Sequence, residues 1–359
     1  MNVRDISTLR LANQQIVSSS SSEPSSVVAR LLAMQAQDYR SALWSIGLRL
    51  PGSTVQLVEQ AIADRTIVRT WPMRRTLHFV AAEDARWVLR LLTPRAIKGM
   101  AGRLAQLEID DVVLARSRKN LEKALGARPL LTREEMYAVL ARAKISPEGQ
   151  RGIHIISRLS QEGLLCFGPH RGKAPTFTLM DDWVPPSREL DRDEALATLT
   201  SRYFRGHGPA TIRDFAWWSG ITLGDARAGA SMIGDELTEE RLKGKSYLVS
   251  RNAESVSDDA ERHARGMHLL PGFDEYMLGY SDRTIALDLA HSQKIVPGKN
   301  GVFLPTIVVR GHVIGTWRAA TVRGRITVTP LPFAPLSASN ARAFAAVATR
   351  YRHFQQREE

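Results

Sequence analysis

At 359 residues the chain is about twice the length of a typical single domain, which predicts two or three modules rather than one. Its 43% hydrophobic and 24% charged residues are those of a folded globular protein and exclude a disordered or collagen-like chain. The 49 Lys and Arg, of which only nine are Lys, outweigh 37 Asp and Glu by +12. The excess predicts a polyanionic partner, although an Arg-rich genome gives the same count.

The single cysteine, Cys166, excludes an internal disulfide, a thiolate zinc site and a Cys-ligated cluster. Its apolar neighbours predict a buried strand residue rather than a nucleophile. No apolar run approaches the eighteen or so residues of a membrane span, and the N-terminus lacks a charged segment leading into an apolar one, so a cytoplasmic protein is expected.

Residues 18–26, five serines followed by Glu-Pro-Ser-Ser, read as a polar loop after a short first helix. Val27, Val28, Leu31, Leu32 and Met34 then fall at helical spacing, predicting a helix capped by Ser25 or Ser26 that ends near Gln37 or Asp38. A second helix over 53–64 gives way to strand-like runs, 67–71 and 76–80, separated by Pro72-Met73-Arg74-Arg75. Helices followed by a hairpin with a basic tip is the order of a winged helix, whose wing touches the DNA backbone.

The order recurs. Thr132-Arg133-Glu134-Glu135 is a capping box opening a helix to about Ala143, and a second helix runs from about Gly149 to Glu162, where Gly163 stops it. Strands at 164–167 and 176–179 flank Gly168-Pro169-His170-Arg171-Gly172-Lys173, a glycine-rich basic loop. A third copy begins with a helix over 211–220, a glycine turn and another helix from Thr222, with a weaker strand at 247–250. The last hundred residues form a small β element over 269–276, 306–317 and 325–329, closed by a helix over 341–355. The expected class is α+β, mainly helical, with modules at 1–125, 126–190 and 191–359.

The nine histidines show no metal-ligand spacing, and Gly-x-x-x-x-Gly-Lys-[Ser/Thr], Gly-x-Gly-x-x-Gly and Gly-x-Ser-x-Gly are all missing, so neither a metal nor a nucleotide cofactor is expected. Three features carry candidate chemistry. Gln35 and Gln37 lie about 200° apart on an ideal helix, so they share a pocket only if the helix ends there; on composition alone they are surface amides. An amide has no useful pKa but can hold a water and donate through its NH2, which suits a leaving group that is already activated. Asp274, Glu275 and Asp282 sit near an apolar and aromatic stretch where a carboxylate needs a partner, an arginine above all; as strand neighbours, Asp274 and Glu275 would point to opposite faces. His78, between Leu77 and Phe79, either faces a groove or is a satisfied, half-buried histidine. The tips carrying Arg74, Arg75, Arg171 and Lys173 suit phosphate contact, with no base information.

Three stretches in this order, Leu32-Ala33-Met34-Gln35-Ala36-Gln37, Trp71-Pro72-Met73-Arg74-Arg75-Thr76-Leu77-His78 and Leu270 to Tyr280, resemble the AlkZ/YcaQ winged-helix DNA glycosylases over roughly residues 5 to 350. The resemblance implies three tandem winged helices around a concave DNA-binding face, and excision of N7-alkylguanine with unhooking of interstrand crosslinks made by natural-product alkylators. Its catalytic motif falls on Gln35, Ala36 and Gln37, and Gln at the third position resembles the antibiotic self-resistance branch. DNA contacts are expected from Arg74, Arg75, His78, Arg171 and Lys173. The partner is alkylated or crosslinked double-stranded DNA, bound by a nucleoid-associated monomer with no membrane and no cofactor. With no lysine near the motif to form a Schiff base, a monofunctional enzyme is expected. The alternatives are a winged-helix transcriptional regulator without catalysis and a lesion-sensing protein that binds without excision.

Overall fold

A computed structural model describes residues 2–253, 256–299 and 301–356. The chain forms two compact units, Met1–Val58 with Leu196–Trp218 and Thr222–Glu359, and Glu59–Ala195 with Ser219–Ile221. These units gather distant stretches, whereas the modules read from the sequence follow chain order. Both mix helices with antiparallel strands. Among the described residues no helix is long and apolar enough to cross a membrane, and no cluster of His, Cys, Asp or Glu is arranged to hold a metal.

In the second unit the hairpin Ile67–Met73/Thr76–Ala81 joins the hairpin Leu165–Arg171/Ala174–Leu179 where Arg69 pairs with Phe167, and the short strand Leu131–Thr132 adds beside Ala174–Leu179. Helices Asp111–Ala127, Arg133–Arg142 and Arg151–Gln161 contribute Leu121, Met136, Leu140, Ile155, Ile156 and other side chains to one core with Trp71, Phe167 and Phe177. The ring centroids of Phe167 lie 5.1 Å from Trp71 and 4.4 Å from Phe177, distances at which aromatic pairs add to area burial. Cys166 is fully buried and its thiol is pushed well above its ordinary pKa by that burial, so it is core filler as its flanks predict.

The helix Arg133–Arg142 begins with the expected capping box: Thr132 Oγ1 accepts from the Glu135 backbone at 3.3 Å, and Glu135 Oε2 accepts from Thr132 N at 2.7 Å. Arg128 and Arg171 reach the same carboxylate, at 2.5 Å and 3.1 Å.

The first unit contains a four-stranded antiparallel sheet in the order Arg325–Pro332, His312–Val322, Thr306–Val309, Met267–Leu270. Two indoles dock on its edge strand, Trp44 Nε1 donating to Leu269 O and Trp317 Nε1 to Leu270 O, both at 2.8 Å. The closing helix Ala338–Gln355 lays Tyr351 and Phe354 against Trp44, at centroid distances of 5.2 Å and 5.1 Å. Gly47 is required here, because a Cβ at that position would stand 2.2 Å from the Phe354 ring.

Two sequence readings need correction. The apolar run from Val27 is not one helix: Pro24–Leu31 is helical with Glu23 at its N-cap, Leu32 turns the chain at φ 66°, ψ −48°, and Ala33–Gln35 is a strand. The strand over 269–276 ends at Leu270, and Asp274 is the N-cap of a short helix, Glu275–Leu278.

The Glu135 contacts give the stability of this fold a definite pH dependence. The backbone hydrogen bond from Thr132 and the Arg128 guanidinium hold Glu135 down from its ordinary 4.5 to about 2. A carboxylate depressed in the folded state stabilises fully above its unfolded pKa and loses that contribution as pH falls through the folded one. Glu135→Gln keeps a side chain able to cap but loses the charge. Its melting temperature should lie below that of the native protein at pH 6, with the gap closing between about pH 4.5 and pH 2.

Candidate active site

The Gln35-Ala36-Gln37 motif lies where the strand Ala33–Gln35 meets the helix Tyr39–Arg49, which Asp38 caps by accepting from Ser41 N at 2.7 Å. Along it Ala36 is fully buried, Gln35 partly buried and Gln37 exposed. Gln35 closes the strand and Gln37 stands in the bend just beyond it, so the two amides flank a buried Ala36 instead of lying on a helix. The helix thus ends before the motif, as a shared pocket requires, and it ends at Leu31, six or seven residues earlier than the apolar spacing predicts. The Gln35 amide makes no side-chain hydrogen bond among the described residues, so its donors and acceptor remain available.

Behind the motif stand Asp274 and Glu275, both buried. Because a helix starts there, the two carboxylates diverge into separate networks. Asp274 faces Arg49, itself fully buried, in a bidentate pair with Nη1 to Oδ2 at 2.7 Å and Nη2 to Oδ1 at 2.9 Å. Arg49 also donates from Nε to Gln14 O at 2.8 Å and from Nη1 to Ser45 O at 2.9 Å, while Ser45 Oγ and Tyr276 N donate to Asp274. A buried pair is tolerable only when its remaining donors and acceptors are met in this way. The sequence reading assigned the carboxylates to structural pairing with an arginine, and Asp274 does this.

Glu275 does something else. Its Oε1 accepts from the backbone N of Gln35 at 3.1 Å, and its Oε2 accepts from Trp218 Nε1 at 2.8 Å and faces His207 Nε2 at 3.3 Å. Asp282, the third candidate, is ion-paired to Lys245; burial works to raise its pKa, but Lys245 and Thr284 donors bring it down to about 2. It takes no part in the motif's network.

The residues expected to touch DNA lie in the second unit. Arg74 and Arg75 are the two central residues of a tight hairpin turn, with φ of 50° and 60°. Both angles fall in the left-handed region that favours Gly and Asn, at a cost of order 1–3 kcal/mol per residue. Arg75 is exposed, and with Arg74, Trp71, Arg103, His154 and Gln161 it lines a cavity of about 390 Å³. His78 is a correction: its ring is buried, with Nδ1 3.0 Å from Thr76 O and Nε2 3.3 Å from Arg74 Nη2. A carbonyl on one nitrogen and a guanidinium on the other select the tautomer with its proton on Nδ1, a satisfied core histidine rather than one facing a groove. Arg171 is exposed but engaged by Glu135 and by Leu130 O at 2.9 Å, and Lys173 is exposed with no partner among the described residues.

The sequence reading missed His207 and Trp218, whose only mark is that a buried His or indole N–H needs a partner. It also missed the two-residue turns Lys243-Gly244, Arg310-Gly311 and Arg323-Gly324, each with both residues at positive φ. A basic residue followed by Gly between alternating runs was the available signal.

Removing one partner of the buried pair should be severe. Asp274→Ala strands the Arg49 guanidinium without compensation and should lower unfolding free energy by about 3–5 kcal/mol in a denaturant titration. A loss below about 1 kcal/mol would mean that Gln14 and Ser45 alone satisfy the arginine.

The chain is similar to known proteins over most of its length. A family model described as DNA glycosylase AlkZ-like matches residues 28–354. An interstrand DNA cross-link repair glycosylase of Streptomyces sahachiroi is 28% identical over 355 residues, covering 92% of this chain and 90% of the relative. The solved structure of the Streptomyces sahachiroi DNA glycosylase AlkZ superposes with a TM-score of 0.77 at 26% identity, over 99% of this chain and 96% of that one.

Proposed function

The chain belongs to the AlkZ-like family of DNA glycosylases, and on that premise we propose that it excises N7-alkylguanine by hydrolysis, with interstrand crosslinks among its substrates. The observation that carries this reading is the pair of amides flanking a buried Ala36 where a strand ends, with no titratable side chain inside the three-residue motif. N7-alkylguanine is cationic and departs as a neutral base, so it needs no general acid. What the reaction requires is an oriented water and dipoles aimed at the oxocarbenium-like sugar, which the Gln35 and Gln37 carbonyl oxygens and NH2 groups supply. No lysine stands in the sequence near the motif, which favours a monofunctional glycosylase over a lyase.

The relative's name specifies crosslink repair, and Gln at the third motif position supports the same substrate here, in a self-resistance role. A crosslinked base is tied to both strands and is not free to flip into an enclosed pocket, so a site with an exposed Gln37 suits it. We read the order of two helices followed by a hairpin, as in Arg133–Arg142, Arg151–Gln161 and Leu165–Leu179, as a winged helix, one of three over 1–125, 126–190 and 191–359. In this reading Arg74, Arg75, Arg171 and Lys173 track phosphates, and His78 contributes by holding Arg74. Two arginines kept in a turn that prefers Asn-Gly support a functional use of that tip. A monomer acting at the nucleoid, in the cytoplasm, fits the whole.

Single-turnover release of 7-methylguanine from an end-labelled duplex, followed by mild alkali, tests the chemistry. The Gln35→Ala, Gln37→Ala double variant should lose at least about 10²-fold in rate while DNA affinity persists. An unchanged rate would remove the amides from the chemical step. Binding tests the tip: Arg74→Ala with Arg75→Ala should weaken affinity and make the slope of log K against log salt shallower by about 2, with DNA sequence immaterial.

A further inference from the structure

We propose that Glu275 is a positioning residue for the glycosylase reaction, acting through the Gln35 peptide; this rests on the reading of Gln35 and Gln37 as the catalytic amides. Gln35 and Glu275 are 240 residues apart in sequence, yet the Glu275 carboxylate accepts the Gln35 backbone N–H at 3.1 Å. The strand carrying Gln35 is only three residues long, and Leu32, immediately before it, is held at φ 66°, ψ −48°, a conformation sparsely populated by side-chain-bearing residues. Gln35 closes that strand, and the fixed acceptor there holds its peptide in place.

The carboxylate is itself immobilised. Glu275 is fully buried, Trp218 donates to Oε2 at 2.8 Å, and His207 faces the same oxygen at 3.3 Å. Trp218 Nε1–H and the Gln35 peptide N–H donate to the carboxylate, and the His207 ring meets it through Nε2. His207 is in turn sandwiched: Tyr203 stacks on it at 4.9 Å and 10°, and a Cβ at Gly279 would stand 2.7 Å from its ring. Its Nδ1 has no hydrogen-bond partner among the described residues, so its one contact through nitrogen is with Glu275. Groups that orient a reacting residue from behind are commonly worth 10–100-fold in activity. Here the orientation decides where the Gln35 amide is presented to the sugar.

Glu275→Gln is the decisive substitution. It keeps the shape but must turn an NH2 toward either the Gln35 N–H or the Trp218 and His207 donors, so one side of the clamp becomes donor against donor. The single-turnover rate of 7-methylguanine release should fall 10–100-fold with the Kd for alkylated duplex within about twofold. Combined with Gln35→Ala, the two losses should be non-additive, the double variant being no slower than Gln35→Ala alone, because Glu275 acts through Gln35. A residue that merely stabilises the fold would leave the rate of the folded fraction intact, alone or combined with Gln35→Ala. Trp218→Phe, which removes a donor from Oε2 but leaves Oε1 on Gln35, should reduce the rate less, about threefold to tenfold, and serves if Glu275→Gln does not accumulate as folded protein. Wild-type rate in folded Glu275→Gln, or additive losses in the double variant, would overturn the positioning role while leaving the glycosylase reading standing. A native protein that releases no base from alkylated or crosslinked duplex would overturn both.

Discussion

Two adjacent carboxylates with almost no exposure to solvent, Asp274 and Glu275, need donors from elsewhere in the chain, and the first unit is organised around supplying them. Asp274 is met by Arg49, Ser45 and the Tyr276 peptide; Glu275 is met by Trp218, His207 and the Gln35 peptide. These donors come from five separate stretches of sequence, so satisfying one buried turn fixes how those stretches pack. The penalty for leaving either charge unmet is several kcal/mol, a large fraction of a typical protein's net stability. Dense polar burial of this kind is expensive, and its value lies in the geometry it imposes on a neighbouring strand.

That geometry links the buried turn to the proposed chemistry. A glycosylase acting on a cationic base needs little acid strength, because the substrate already carries the charge that makes it leave. What remains is orientation, and orientation by amides is only as good as the backbone that presents them. An exposed loop would let the motif wander; a strand that leaves a strained turn and ends at a buried acceptor confines Gln35. The motif's two glutamine side chains meet solvent while the Gln35 peptide is anchored to the interior.

Local signals in the sequence were legible wherever the interactions were local. The capping box at Thr132, the end of the helix Arg151–Gln161 ahead of Gly163 and the hairpin tip at Arg74-Arg75 all rest on residues a few positions apart, and the structure has them where the spacing predicts. The early end of the helix at Leu31 was hidden because Leu32 and Met34 continue the helical apolar period; both are buried as expected, but from a turn and a strand. His78 alternates with Leu77 and Phe79 as read, yet the burial of both faces of its strand escaped a pattern argument that assumes one wet side. Arg49 carries no mark in the sequence: it ends an apolar helix at a position where an arginine is normally solvated, and only the fold brings Asp274 to it. The family motif made Gln35 and Gln37 visible, but not the residues that hold them.

The span of 240 residues between Gln35 and Glu275 has a consequence for synthesis. Ribosomes add about 5–20 residues per second, so the N-terminal strand waits on the order of tens of seconds before its acceptor exists. Closing so long a loop also places this contact late among folding events, since its entropy must be met by interactions formed earlier. A nascent chain, or a fragment truncated before residue 275, therefore carries the glutamine motif without the clamp. With Glu275 holding Gln35 as proposed, the hydrolytic site is complete only once residue 275 has been made.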